Sequence, residues 1–262
     1  AMAAYRRSIE LEPDARTHMK IGVHFRESGQ VDLAITEHKK AIALDPKLGV
    51  VWFHYGLALN DMGKLDEAIA AYRKSNELGP AAGQTYVNLG LTVSRKGNID
   101  EAFAHFRKAL EIDPDLIEAH VNLGRVYLDT GKIDEAIACY RKAIELEPDH
   151  AGGYFNLGVG LREKGQVDEA LAAFRKTIEV DPKDAGAYDC LAAILCDAKE
   201  EYDAAIEAFE KAIDLDPKEL RYCSNLCIAL QNKGHPDVTI AVSRRRIEKN
   251  PVHPGGYFYF SL

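Results

Sequence analysis

The sequence predicts an all-α fold built from stacked pairs of helices. Three observations predict it: a proline returns every 33 to 35 residues, apolar residues between the prolines follow helical spacing, and a glycine recurs midway through most intervals. The recurring prolines are Pro13, Pro46, Pro80, Pro114, Pro148, Pro182, Pro217 and Pro251. Self-similarity at this period is typical of a solenoid, in which each unit packs on its neighbours.

The first helix of each unit is indicated by apolar residues on one helical face, for example Val121, Leu123 and Val126. A glycine follows this helix, where a left-handed C-terminal cap is best made by a residue without Cβ. These glycines are Gly29, Gly63, Gly97, Gly131, Gly165 and Gly234. An aspartate comes three residues later and is predicted to cap the second helix. The aspartates are Asp32, Asp66, Asp100, Asp134, Asp168, Asp203 and Asp237.

The second helix of each unit is indicated by the same periodicity, for example Ile133, Ala136 and Ile137. The recurring proline then ends it, because proline lacks an N–H group and clashes with the preceding turn. Small residues are expected to let the paired helices approach closely, and large rings to fill the space between units. The small residues include Gly90, Gly124, Gly158, Ala102, Ala136 and Ala170, and the rings include Phe106, Tyr140 and Phe174.

These features resemble the tetratricopeptide repeat, whose 34-residue pattern places an aromatic residue, Leu-Gly, Tyr, Ala, Phe or Tyr, Ala and Pro at fixed offsets. The resemblance covers the whole chain and implies a right-handed α-α superhelix, a single solenoid over residues 1–262. Full repeats are predicted at 15–48, 49–82, 83–116, 117–150, 151–184, 185–219 and 220–253, and partial repeats at 1–14 and 254–262.

Two repeats depart from the pattern. Repeat 185–219 has one extra residue and replaces the turn glycine with Lys199-Glu200-Glu201, so a longer turn is expected. Repeat 220–253 has Thr239 and Ser243 where Ala and an aromatic residue are expected. Its second helix is therefore predicted to pack more loosely than the others.

Composition excludes several classes of function. The chain has 33 Lys and Arg against 41 Asp and Glu, a net charge of −8, whereas a nucleic-acid-binding protein is expected to be basic. No uncharged apolar run reaches the roughly 18 residues of a membrane helix. The five cysteines form no disulfide framework, which favours a reduced, cytoplasmic setting.

No catalytic motif accompanies the repeats. The sequence contains no phosphate-binding loop, nucleophile elbow, zinc-protease motif or dinucleotide fingerprint. His18 and His120 occupy the aromatic position of the first helix, so we expect them to pack there. Cys223 and Cys227 are expected to be buried small side chains rather than metal ligands. The sequence therefore predicts a protein that is not an enzyme and holds no cofactor or metal.

The resemblance implies that the first helices line the inner, ligand-binding face. Position six of successive repeats reads Lys20, His54, Asn88, Asn122, Asn156, Cys190 and Asn225. An Asn side chain carries donors and an acceptor, so it can bind a peptide backbone whatever the peptide sequence. The predicted contact residues are Asn88, Asn122, Asn156, Asn225, Val87, Leu91, Val121, Arg125, Phe155, Val159, Phe53 and Leu57.

The row of Asn88, Asn122 and Asn156 is similar to the asparagine ladder in the tetratricopeptide superhelix of O-linked N-acetylglucosamine transferases. A competing interpretation is that Asn is common at this position in such repeats, with Asn122 bonding a neighbouring helix. The carboxylate clamp of chaperone-binding relatives is not supported, because no repeat has Lys at position five or Asn at position nine.

The sequence thus predicts a scaffold that binds an extended or helical segment of a protein or peptide partner, and neither nucleic acid nor membrane. One alternative is the substrate-docking arm of a larger enzyme, such as a glycosyltransferase or a protein kinase. Another is self-assembly, in which open ends such as Tyr257-Phe258-Tyr259-Phe260 stack on a second copy of the chain.

Overall fold

The computed structural model describes residues 14–79 and 82–234, which form thirteen α-helices and no β-strand. Within these residues, every first helix of a repeat has 13 residues and every second helix has 14. The helices are α1 Ala15–Glu27, α2 Val31–Leu44, α3 Gly49–Asp61, α4 Leu65–Leu78, α5 Gly83–Arg95, α6 Ile99–Ile112, α7 Ile117–Asp129, α8 Ile133–Leu146, α9 Ala151–Glu163, α10 Val167–Val180, α11 Ala185–Asp197, α12 Tyr202–Leu215 and α13 Leu220–Asn232. The predicted all-α fold class is confirmed.

The chain divides into two compact units, Ala1–Thr130 and Gly131–Leu262. The first unit contains α1–α7 and the second contains α8–α13. Consecutive helices pack together within each unit, and first helices of adjacent repeats also meet: α1 contacts α3, α3 contacts α5, α5 contacts α7, and α11 contacts α13. The first helices of the first unit therefore lie side by side, as the resemblance implies.

The turn inside most repeats contains three residues, and its middle residue is a glycine in the left-handed region. The φ angles are 74–87° at Gly29, Gly63, Gly97, Gly131, Gly165 and Gly234, so the predicted left-handed caps are confirmed. In repeat 185–219 the turn spans the four residues 198–201, and Glu200 takes the positive φ of 55°. The longer turn is confirmed as well.

The prediction that the recurring aspartates cap the second helices is wrong. Each aspartate in a described helix is the second residue of that helix. The capping position is occupied by Gln30, Lys64 or the equivalent residue of the other repeats, and none of these side chains makes a cap hydrogen bond. Asp237 lies outside the described residues.

Four of these aspartates instead form ion pairs with a lysine of the following repeat. Lys164 Nζ lies 2.8 Å from Asp134 Oδ1, and Lys199 Nζ lies 2.6 Å from Asp168 Oδ1. Lys96 with Asp66 and Lys233 with Asp203 make the equivalent contacts.

A large ring on each described second helix forms the core. A Cβ added to Gly90 would lie 2.7 Å from the Phe106 ring, so the missing side chain lets the ring lie against the first helix of its own repeat. The rings at this position, in α4, α6, α8, α10 and α12, are almost fully buried: Tyr72, Phe106, Tyr140, Phe174 and Phe209. The first repeat has His38 at the same place, with none of its surface exposed.

Some sequence predictions fall outside the described residues. They are the partial repeats 1–14 (apart from Asp14) and 254–262, the second helix of repeat 220–253, and the self-assembling residues Tyr257 to Phe260. The division of 1–262 into repeats of a single solenoid stays a prediction.

Candidate functional site

The predicted contact residues of the first unit lie on three adjacent first helices. Their partly exposed side chains, together with the exposed Arg125, define what we call the Asn88 surface: Phe53 and Leu57 on α3, Asn88 and Leu91 on α5, and Val121, Asn122 and Arg125 on α7. Val87 is the exception, because only 1% of its surface is exposed. It supports this surface from behind and offers nothing for a partner to contact.

The second unit brings fewer of these residues together. Phe155, Asn156 and Val159 are all partly exposed on α9, and we call them the Asn156 surface. The next first helix, α11, presents Asp189 and Cys190 at the equivalent positions, and both are buried. The row of amides therefore stops at α9.

The three asparagines share one geometry. Asn88 Nδ2 donates to Gln84 O at 2.9 Å, Asn122 Nδ2 donates to Glu118 O at 2.7 Å, and Asn156 Nδ2 donates to Gly152 O at 2.8 Å. Each bond reaches the carbonyl four residues earlier in the same helix, so the interpretation that Asn122 bonds a neighbouring helix is wrong. Among the described residues, nothing donates to the Oδ1 atoms of these three side chains. Each amide is oriented and keeps its acceptor.

Asn225 has a different role. Its Nδ2 donates to Asp189 Oδ1 at 2.8 Å, and Arg221 lies 3.5 Å from Asp189 Oδ2. Asp189 is only 4% exposed, and a buried carboxylate needs charged or hydrogen-bonding partners. Asn225 thus joins α13 to α11 and stabilises a buried charge.

A polar network links the first helices of the first unit. Asn60 Oδ1 accepts hydrogen bonds from Arg95 at 2.7 Å and from the Thr92 hydroxyl at 3.3 Å, which joins α3 to α5. Arg26 on α1 lies 3.8 Å from Asp61 on α3. Arg26 is thus paired with a carboxylate, whereas Arg95 bonds the neutral amide of Asn60 and keeps its positive charge beside the Asn88 surface.

The residues expected to be structural are placed accordingly. His18 is 7% exposed and its Nδ1 lies 2.6 Å from Glu37 Oε2, whereas His120 Nε2 lies 2.8 Å from Pro114 O. Cys227 is 2% exposed and Cys223 is partly buried. Burial also raises the pKa of the Cys139 thiol to about 11, which disfavours the reactive thiolate.

Sequence reasoning missed a pair of stacked histidines in the first unit. The His38 and His54 rings have centroids 6.2 Å apart and an interplanar angle of 15°. The signal was present in the sequence, because His38 occupies the position at which the next five repeats have Tyr or Phe.

Within residues 14–79 and 82–234, no group of three or more His, Cys, Asp or Glu side chains is arranged to hold a metal ion. No helix in these residues combines the length and apolar character of a membrane span.

Sequence profiles described as tetratricopeptide repeat match the chain at 47–115 and 82–148, and at 121–185 and 160–219. The matches run together over residues 47–219, about two thirds of the chain. No curated protein sequence matches it significantly.

Solved structures share the fold. The chain is 22% identical to a chain of the APC/C hetero-tetramer Cut9–Hcn1, with a TM-score of 0.76. The match covers 87% of this chain but only 45% of that chain. It is 24% identical to MamA from Desulfovibrio magneticus RS-1, with a TM-score of 0.58, and the match covers 66% of this chain and 97% of MamA. YrrB, described as a TPR protein with an unusual peptide-binding site, is 23% identical, with a TM-score of 0.56. That match covers 70% of this chain and 95% of YrrB. At these identities the likeness concerns the fold alone.

Proposed function

We propose that the chain, which belongs to the tetratricopeptide repeat family, binds an extended segment of a partner protein on the Asn88 surface, with the Asn156 surface as a second contact area. The family consists of protein-interaction modules, and the all-α solenoid fold predicted from the sequence is confirmed. The resemblance to the transferase superhelix, the absence of enzymatic activity and a cytoplasmic location remain predictions.

The observation that carries the proposal is the geometry of Asn88 and Asn122. Each amide is held by a carbonyl of its own helix, and each keeps Oδ1 as an acceptor for a peptide N–H. Packed helices are about 8–10 Å apart, and an extended peptide covers that distance in roughly three residues. Two amides on adjacent first helices can therefore bind every third peptide group of one strand.

Apolar side chains beside the amides supply most of the affinity in this proposal. Phe53, Leu57, Leu91 and Val121 are partly exposed around the two asparagines. Burial of a full aliphatic or aromatic side chain contributes about 1.5–3 kcal/mol, whereas a typical hydrogen bond contributes about 0.5–1.5 kcal/mol. The apolar contacts would therefore set the strength of binding, and the amides would set the register and direction of the peptide.

Two solved relatives support this reading by analogy. YrrB is described as having a peptide-binding site, and Cut9 is described in a complex with Hcn1. The net charge of −8 further favours a protein partner over nucleic acid or an anionic membrane.

The test uses a peptide selected from a random display library of about ten-residue peptides, a length that spans three first helices. Replacing Asn88 and Asn122 together by Ala is expected to weaken binding about 5- to 100-fold, because two hydrogen bonds are lost. Binding is measured by isothermal titration calorimetry, and far-UV circular dichroism is expected to stay unchanged.

Asn98→Ala is the matched control. Asn98 lies in an exposed turn before α6, makes no side-chain cap bond and is remote from the contact residues in the repeat pattern. It should bind the peptide like the wild type. If the double Asn variant also binds like the wild type, peptide-backbone recognition by these amides is refuted.

A further inference from the structure

The joint between the first two repeats is built around His38. This residue lies on α2 at a position where the next five repeats have Tyr or Phe, and its ring packs against α1. A Cβ added to Gly22 would lie 2.5 Å from the ring, so the imidazole occupies the closest approach of the two helices. An ionisable ring therefore fills a core position that elsewhere holds a phenyl or phenol ring.

Both ring nitrogens of His38 lack a hydrogen-bond partner within the described part of the chain. A neutral imidazole leaves one donor and one acceptor unsatisfied there, and a protonated imidazole would leave two donors and a charge. Burial of an unpaired charge costs far more free energy than burial of an unpaired neutral group. The packed arrangement therefore accepts only the neutral ring.

The surroundings of His38 do not compensate a positive charge. His54 on α3 stacks on it at 6.2 Å, and Arg26 approaches from α1. The carboxylates that face the pair are Glu37 on α2 and Glu27 on α1. Glu37 already contacts His18 at 2.6 Å and Lys40 at 2.7 Å.

These surroundings lower the pKa values of both histidines. Burial lowers the pKa of His38 to about 4, with further lowering by His54 and Arg26 and a smaller opposing effect from Glu37. Burial also lowers the pKa of His54, again with Arg26 acting in the same direction and Glu27 against it.

We propose that the stacked His38 and His54 rings form a proton-sensitive joint, which holds the α1–α2 hairpin against α3 at neutral pH and releases it on acidification. Opening that separates the His38 ring from α1 as well as from α3 lets it take up a proton near its ordinary pKa of 6.5, whereas the packed ring resists protonation until about pH 4. The packed state is therefore fully stable above about pH 6.5 and loses stability as the pH falls towards 4. At pH 4.5 the equilibrium constant for opening is expected to exceed its value at pH 7.5 about 50- to 100-fold.

The only tryptophan of the chain reports on this joint. Trp52 lies on α3, and its Nε1–H donates to Pro46 O in the connection between α2 and α3 at 2.9 Å. Urea titrations of the full chain at pH 7.5 and 4.5 would follow Trp52 fluorescence and far-UV circular dichroism in parallel. The fluorescence midpoint is expected to fall more steeply with pH than the circular dichroism midpoint.

The decisive variant is His38→Phe, with His38→Tyr as a second substitution that restores the ring types of the other repeats. In either variant, the midpoint of urea unfolding seen by Trp52 fluorescence should no longer fall more steeply with pH than the circular dichroism midpoint. His24→Gln is the control, because His24 is an exposed histidine on α1, and it should keep that dependence.

Two results would overturn the proposal. One is a folded His38→Phe or His38→Tyr protein with the pH dependence of the wild type. The other is an NMR titration of the native chain in which the His38 ring protonates near pH 6.5, and this measurement needs no variant to fold.

Discussion

At the scale of single residues, four asparagines at one repeat position divide into two kinds. Asn88, Asn122 and Asn156 bond a carbonyl of their own helix, whereas Asn225 bonds the buried carboxylate of Asp189 on another helix. The preceding repeat decides the difference, because it presents the carboxylate of Asp189 to Asn225, whereas the equivalent residue in the repeat before each of the other three asparagines is apolar. The same side chain is thus oriented for a partner in one repeat and used for internal stability in another.

Asn225→Ala should destabilise the protein. It removes a donor from Asp189 Oδ1, and an under-satisfied buried polar group costs about 1–3 kcal/mol, more when it is charged. The free energy of unfolding from urea titration at pH 7 measures the change. Asn156→Ala is the matched control, since it removes only a bond within α9 and introduces a better helix former, so its expected effect is near zero. Equal effects of the two substitutions would contradict this assignment.

The sequence was sufficient to place the candidate site residues in register but not to assign their partners. The repeat period puts Asn88, Asn122 and Asn225 at one position, and that placement needs no coordinates. Whether an amide is free depends on which side chain the next helix presents, as Asp189 does to Asn225. The burial of Val87 likewise depends on contacts between helices, which a single-helix periodicity does not contain.

At the scale of elements, the turns inside the repeats set where each second helix begins. Five of the glycine turns contain three residues between described helices, so the second helix begins two residues after the glycine. The aspartates consequently fall two residues after the capping position, as Asp66 and Asp100 show. A carboxylate in the first turn is also favoured by the helix dipole, so the same sequence pattern suits both roles. The sequence alone could not separate them.

Glu200→Gly should stabilise the turn of repeat 185–219. Glu200 has a φ of 55°, which costs a residue with a Cβ about 1–2 kcal/mol, whereas glycine adopts it freely. After the larger entropy of glycine in the unfolded chain is subtracted, a gain of about 0.5–1 kcal/mol remains.

Thermal unfolding followed by circular dichroism measures that gain. Glu201→Gly is the comparison, because Glu201 has a φ of −85° and gains nothing from glycine. A lower melting temperature for Glu200→Gly than for the wild type would show that the left-handed residue is not strained.

At the scale of the whole molecule, stability comes from buried rings rather than from surface charge. Each ring in the row from Tyr72 to Phe209 is almost fully buried. The ion pairs between repeats are exposed: the aspartate side chain is 77% exposed in Lys164–Asp134 and 86% exposed in Lys199–Asp168. Exposed pairs of this kind contribute about 0–1 kcal/mol, and salt screens them.

Phe174→Ala and Lys164→Ala should therefore differ widely in stability. The first leaves a cavity beside Gly158 and is expected to cost about 3–5 kcal/mol. The second removes one exposed ion pair and is expected to cost less than about 0.5 kcal/mol. Urea unfolding at low and high salt measures both changes. A Lys164→Ala cost that rivals the core substitution would mean that the exposed ion pairs stabilise the protein as much as the buried rings do.

The extra residue of repeat 185–219 leaves both of its helices at the lengths found elsewhere, 13 residues in α11 and 14 in α12. Residues 198–201 absorb the added length, and the helix pairing on either side continues unchanged. This turn is consequently the most suitable site for an insertion within the described residues. An epitope or a fluorophore-labelling peptide inserted after Glu200 would project from an exposed loop and leave the neighbouring helices in phase.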